Sequence, residues 1–135
     1  MSTFRISEAA GLLGVSADTV RRWVDSGRLT ARRDENGHRV LEGTDLAAFA
    51  RGQITAIDGT GQSSARNRLS GIVTEVIRDA VMAQVEIAAG PYRVVSLMSR
   101  QAADELGLEV GVMAIAVIKS TNVVVEIPDA SRPAG

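Results

Sequence analysis

Ser7-Glu-Ala-Ala-Gly-Leu-Leu-Gly-Val-Ser-Ala-Asp-Thr-Val-Arg-Arg-Trp-Val-Asp25 is the stretch on which the reading of this chain turns. Ser7 is placed to cap a helix with Glu8 in its first turn, and Ala9, Ala10, Leu12 and Leu13 give that helix an apolar face. Gly14 ends it. Ser16 then caps a second helix with Asp18 in its first turn, and Val20, Trp23 and Val24 fall at i, i+3 and i+4, facing inward. Trp23 is therefore read as core, not as a base-stacking residue. The pattern predicts two helices joined by a tight glycine-containing turn.

Working outward, Ser26-Gly27 stops the second helix and Arg28-Leu29 follows. Residues 31–41 read as a hairpin, with Asn36-Gly37 supplying the positive φ angles of a two-residue turn. Thr44 is expected to cap a short helix over 45–51, closed by Leu46 and Phe49. Between Thr19 and Arg39 stand six arginines (Arg21, Arg22, Arg28, Arg32, Arg33, Arg39) against three acids (Asp25, Asp34, Glu35). The planar guanidinium fork can hold a phosphate or a guanine edge through two parallel hydrogen bonds. Thr19 and these arginines are the candidate DNA contacts, and His38 either touches a phosphate or sits on the hairpin shoulder.

The patch is local, because the whole chain of 135 residues carries 15 basic and 16 acidic side chains, a net charge of −1. A polybasic binder is thereby excluded. Cysteine is absent, which removes disulfides, thiolate metal sites and a cysteine nucleophile together. One histidine and no nucleophile–base pair argue against an enzyme. Aromatic residues make up 3%, few for a single-strand stacking platform. The start lacks a signal core and no apolar run approaches the roughly 20 residues of a membrane span. A cytoplasmic protein without membrane contact is expected.

Beyond Arg51 the character changes. A joint is placed at 54–62, where glycines and small polar residues cannot pack, and a tail with nothing to bury at 129–135. Between them the chain alternates, with Val81, Ala83, Val85 and Ile87 on one side and Met82, Gln84 and Glu86 on the other. Strands are expected over 69–77, 81–88, 92–98, 112–119 and 123–127, with a helix over 99–106. Ser99 caps that helix, Ala102, Ala103 and Leu106 form its inner face, and Gly107 stops it. The fold class expected is α+β, an N-terminal winged helix-turn-helix (1–53) followed by a small five-stranded OB-like β-barrel (63–128).

Two segments of the second half offer chemistry. Ser63-Ser-Ala-Arg-Asn-Arg-Leu69 and Ile118-Lys-Ser-Thr-Asn122 supply hydroxyls, backbone N–H groups and cationic side chains without one carboxylate. Many donors and few acceptors are what a tetrahedral dianion requires.

Residues Ile6 to Ser16, Thr19-Val-Arg-Arg-Trp23, Gly27-Arg-Leu29 and Gly37-His-Arg39 resemble the helix-turn-helix of the MerR superfamily, especially its shorter excisionase-like members. Ser64-Ala-Arg-Asn-Arg-Leu-Ser-Gly71, Ala80 to Val85, Glu105 to Gly111 and Ala116-Val-Ile-Lys-Ser-Thr-Asn-Val123 resemble the Mop (molbindin, TOBE-type) domain. The second resemblance implies a molybdate or tungstate ligand held between subunits of a homo-oligomer. Ser64, Arg66, Lys119 and Ser120 carry over as ligand contacts, Ala80 and Val81 as backbone lining, and Ser96 as a weaker candidate. Arg66 either meets the anion or pairs with an acid such as Glu126. The two resemblances together imply an oxyanion-responsive regulator binding double-stranded DNA; the alternative is a molybdate storage or homeostasis protein whose helix-turn-helix is not used for regulated DNA binding.

Overall fold

A computed structural model of the protein describes residues 2–54 and 63–128. The chain divides into two compact units, Met1–Ala56 and Ile57–Gly135. Most of the expected joint and all of the expected tail lie outside the described residues.

The first unit opens with a short strand that the sequence pattern did not predict, β1 (Thr3–Arg5), followed directly by α1 (Ile6–Leu13) and α2 (Ala17–Asp25). The cap of α1 is one such correction: Arg5, not Ser7, occupies it, and the Arg5 backbone N–H donates to Glu8 Oε1 at 3.0 Å. Pairing of β1 with a later strand fixes where the helix begins, so Ser7 falls inside it. Ser16 caps α2 as expected, its Oγ accepting from the Thr19 backbone N–H at 3.2 Å. Ile6, Ala9, Ala10, Val20, Leu29, Leu41 and Leu46 form the core, with Trp23 and Phe49 half-buried against it. Leu12 lies exposed.

Strands β2 (Arg32–Arg33) and β3 (Arg39–Glu42) make the expected hairpin, and β1 adds to its other side in the order β1-β3-β2. Its turn differs from the two-residue form. Asp34 and His38 close the loop, with the Asp34 N–H donating to the His38 carbonyl at 2.8 Å and the Gly37 N–H to the Asp34 carbonyl at 3.0 Å. Only Gly37 takes a positive φ, of 80°, as in three-residue hairpin loops where one glycine follows an ordinary turn. Asp34 Oδ1 accepts from the backbone N–H groups of both Asn36 and His38 at 2.9 Å, which makes the longer loop favourable. Helix α3 (Gly43–Gln53) begins one residue before the expected Thr44 cap, with Glu42 at the cap position.

The second unit contains one antiparallel sheet, β6-β5-β4-β7, built from β4 (Asn67–Arg78), β5 (Met82–Ala89), β6 (Tyr92–Ser99) and β7 (Met113–Ile118), with α4 (Arg100–Leu106) between the last two. Strand β4 carries two ladders in series. Asn67 to Ile72 pair with β7, and Ile72 to Arg78 pair with β5, so only Ile72 has strand partners on both sides. A bulge between Val73 and Glu75 interrupts the β5 ladder just past that residue. Bulges bend a strand and increase its twist. Val73, Val85, Ile87 and Leu108 are buried on the inner side, and a groove of about 590 Å³ there is lined from both edge strands, by Val94, Ser96 and Met98 of β6 and Ala114, Ala116 and Ile118 of β7.

Four strands pair where five were expected. Residues 123–127 form no ladder among the described residues, and Val124, Val125 and Ile127 are 84%, 81% and 86% exposed. An apolar β-branched run signals a tendency to pair without saying which edge it pairs with, and this chain alone gives it none. Ser99 does cap α4, accepting from the Ala102 N–H at 3.1 Å. Ala103 is buried on its inner face, whereas Leu106 and, just before β5, Val81 are exposed.

Candidate functional site

In the first unit the candidate cations are spread over α2 and the hairpin, and each has a local partner. Arg21 pairs with Asp18 at 2.5 Å and Arg22 Nη2 donates to Thr19 Oγ1 at 3.3 Å; Arg21 and Arg22 are exposed on α2, and Thr19 is half-buried. Arg32 pairs with Glu42 at 2.7 Å. Arg33 Nη1 donates to the Gly37 carbonyl at 2.6 Å, and Arg39 reaches from the hairpin to Asp25 at 3.0 Å. Exposed pairs of this kind contribute about 0–1 kcal/mol and can be exchanged for a phosphate. Arg28 differs, since its guanidinium stacks 5.7 Å from the Trp23 ring centre and 5.9 Å from that of Phe49.

The sequence reading missed Arg5, whose Nη2 lies 3.3 Å from His38 Nδ1; it is 33 residues distant in the chain, and only the unpredicted pairing of β1 with β3 brings it there. Asp34 lies 3.8 Å from the same imidazole nitrogen. Its carboxyl is held below the ordinary carboxylate range, first by the His38 backbone N–H and then by that of Asn36.

In the second unit the register of β4 and β7 decides which oxyanion candidates meet. Asn67 stands opposite Ile118 and its side-chain amide donates to the Ile118 carbonyl at 3.1 Å. Ser64 and Arg66 lie just before Asn67, and Lys119 and Ser120 just after Ile118, so the two acid-free segments come to the same end of the sheet. Lys119 keeps extended backbone, and Ser120–Asn122 turn into a short 3-10 helix. Arg66 Nη1 donates to the Ser63 carbonyl at 3.0 Å and makes no ion pair with Glu126 among the described residues.

Ala80 and Val81 are elsewhere. They sit in the β4–β5 turn, where Asp79 Oδ1 accepts from the N–H groups of Val81 and Met82 at 2.8 and 2.7 Å. That is the far end of β4, on the order of 35 Å of strand from Arg66 at ~3.3 Å per residue. Ser96 stands opposite Val85 on β6 and lines the inner groove. The register thus brings the segments that carry Ser64, Arg66, Lys119 and Ser120 to one end of the sheet, with Ala80 and Val81 at the far end of β4 and Ser96 in the groove that Ile118 also lines.

The TOBE domain model matches residues 63–125. Molybdenum-pterin-binding protein 3 of Clostridium pasteurianum is 44% identical over 64 residues, which cover 46% of this chain and 93% of that protein. This chain belongs to the TOBE-domain family. Ahead of the TOBE domain, residues 5–40 match the model for the MerR family regulatory protein, so both resemblances read from the sequence are met by family models. The molybdenum transport protein ModE of Herbaspirillum seropedicae is 39% identical over 64 residues, 47% of this chain and 24% of that protein. The type II methyltransferase M.Eco47II of Escherichia coli is 43% identical over 52 residues, 38% of this chain and 12% of that protein. The matches thus span about a quarter and about an eighth of these last two relatives.

Proposed function

We propose that this protein is a molybdate- or tungstate-responsive regulator, in which a winged helix-turn-helix binds duplex DNA and the TOBE domain binds the oxyanion. The observation that carries the reading is the Asn67–Ile118 register, which gathers two donor-rich, acid-free segments at one sheet end in a chain that also holds a MerR-type segment. Preorganised donors suit an anion because they need no rearrangement on binding. Helix α2 would enter the major groove with Thr19, Arg21 and Arg22, while the Asp34–His38 loop, Arg33, Arg39 and Arg5 follow the backbone.

Coupling follows from linkage. An anion that binds one assembly better than another shifts the population toward it, and DNA affinity changes if the assemblies present their DNA-binding units differently. The separation of Ala80 and Val81 from Arg66 along β4 favours sites completed between subunits. The storage reading is favoured by the molybdenum-pterin-binding relative, which is nearly covered by fewer than half of this chain's residues.

Titrating the full-length protein with sodium molybdate, beside an electrophoretic assay on its own promoter region, tests both halves. Anion uptake that changes DNA affinity is expected. Anion uptake by a protein that finds no specific duplex would favour storage, and no uptake at all would refute the oxyanion reading.

A further inference from the structure

The β4–β7 ladder places one more cation at the same end of the sheet. Arg68 is opposite Val117, one step from the Asn67–Ile118 pair. Side chains alternate faces along a strand while cross-strand partners share one. Asn67 and Ile118 therefore occupy one face, and Arg68 the other. Continuing one step outward puts Arg66 and Lys119 on the Arg68 face, and Lys119 retains the extended backbone this requires, with φ −66° and ψ 136°. Neither residues 63–72 nor residues 113–122 include an acidic residue.

Arg68 also lacks what its neighbours on the sheet have. Arg78 pairs with Asp104 and Arg93 with Glu86. Among the described residues Arg68 has no such carboxylate, and its Nε is buried without a hydrogen-bond partner. A guanidinium N–H withdrawn from water without an acceptor is unfavourable, more so with two like charges on the same face. An anion corrects both defects at once.

We propose that Arg68 is a third cationic ligand of the oxyanion, acting with Arg66 and Lys119. The assignment rests on the reading of this sheet end as the anion site. It makes that site a three-cation cluster, suited to a compact dianion and poorly suited to a neutral ligand. The Arg68 guanidinium supplies a planar pair of donors where Lys119 supplies a point charge.

The test is calorimetric titration of the full-length protein with sodium tungstate and sodium molybdate, comparing wild type with Arg68→Met, which keeps much of the stem and removes the charge, and Arg68→Lys. Arg68→Met is expected to weaken binding at least about tenfold, as loss of a charged hydrogen bond does, and Arg68→Lys less. The melting temperature of the anion-free protein should hold or rise in Arg68→Met, while the tungstate-induced increase shrinks. Should Arg68→Met fail to fold, Arg68→Gln takes its place in the same comparison. Wild-type affinity in the Arg68 variants, with binding lost in Arg66→Ala and Lys119→Ala, overturns the role of Arg68 alone. Absence of any binding by wild type overturns the site itself.

Discussion

Individual side chains in this protein do work that their neighbours in sequence do not disclose. Asp34 organises the hairpin tip through two backbone N–H groups, and these hydrogen bonds hold its pKa below its ordinary value of 3.8. A depressed carboxyl contributes stability that is present above its unfolded pKa and lost as pH falls through the folded one. The tip should therefore stay ordered through ordinary carboxylate titration and open only in stronger acid. NMR of the Asn36 and His38 amides would show this as a midpoint below 3.8; a midpoint at the value of a free aspartate would contradict it. Arg28, counted among the DNA candidates, stacks on Trp23 and Phe49, so Arg28→Ala should lower stability by about 0.5–1 kcal/mol. A thermal melt indistinguishable from wild type would show that the stacking contributes nothing. In the second unit, Arg66 and Lys119 changed to alanine together should abolish discrimination of molybdate from sulfate, since fixed donors spaced for the larger anion reach the smaller one poorly. Competition calorimetry giving equal affinities in wild type would remove that argument.

Elements were legible where a local pattern sufficed. The Val20-Trp23-Val24 stripe with its Ser16 cap gave α2, and alternation over 81–88 gave β5, which runs from Met82 to Ala89 with Ala83, Val85 and Ile87 inward and Val81 left exposed before it. What the sequence concealed was non-local. Strand β1 exists because β3 pairs with it, and three residues carry too little periodicity to announce that. Ser64 and Lys119 were legible as motifs, but their meeting depends on a register between residues about fifty positions apart. Arg68 went unnoticed because alternation there becomes informative only once Val117 is known to lie opposite. Gly71 shows how tightly the ladders are set: a Cβ at that position would lie 2.4 Å from the Ala88 carbonyl oxygen and 2.6 Å from Ile87 Cγ2. Because a backbone oxygen cannot swing aside, Gly71→Ala should destabilise the TOBE domain measurably. A denaturant midpoint equal to that of wild type would mean that β4 and β5 separate freely. In the first unit Leu41 is fully buried, and Leu41→Ala should remove about 2–5 kcal/mol. That is a large share of what a unit this small possesses, and circular dichroism at room temperature should already detect the loss.

At the scale of the whole molecule, the exposed apolar surface calls for a partner. Leu97 and Met113 on the sheet are 69% and 71% exposed, and the 123–127 run adds more than a monomer of this size ordinarily leaves in water. The protein is expected to be a homo-oligomer held by its TOBE domain, with a melting temperature that rises with protein concentration. Light scattering that finds a monomer at every concentration would refute this. The bulge at Thr74 carries a different implication, one that concerns inheritance more than stability. Loss of the single codon for Thr74 would remove no core side chain and no charge. It would nevertheless make Val73–Ile87 and Glu75–Glu86 consecutive pairs, and with the register intact β4 would lose the bend and added twist by which it passes from one ladder to the other. Substitutions of Thr74 should be tolerated far better than its deletion, so descendants of this protein can vary the letter here while keeping the count.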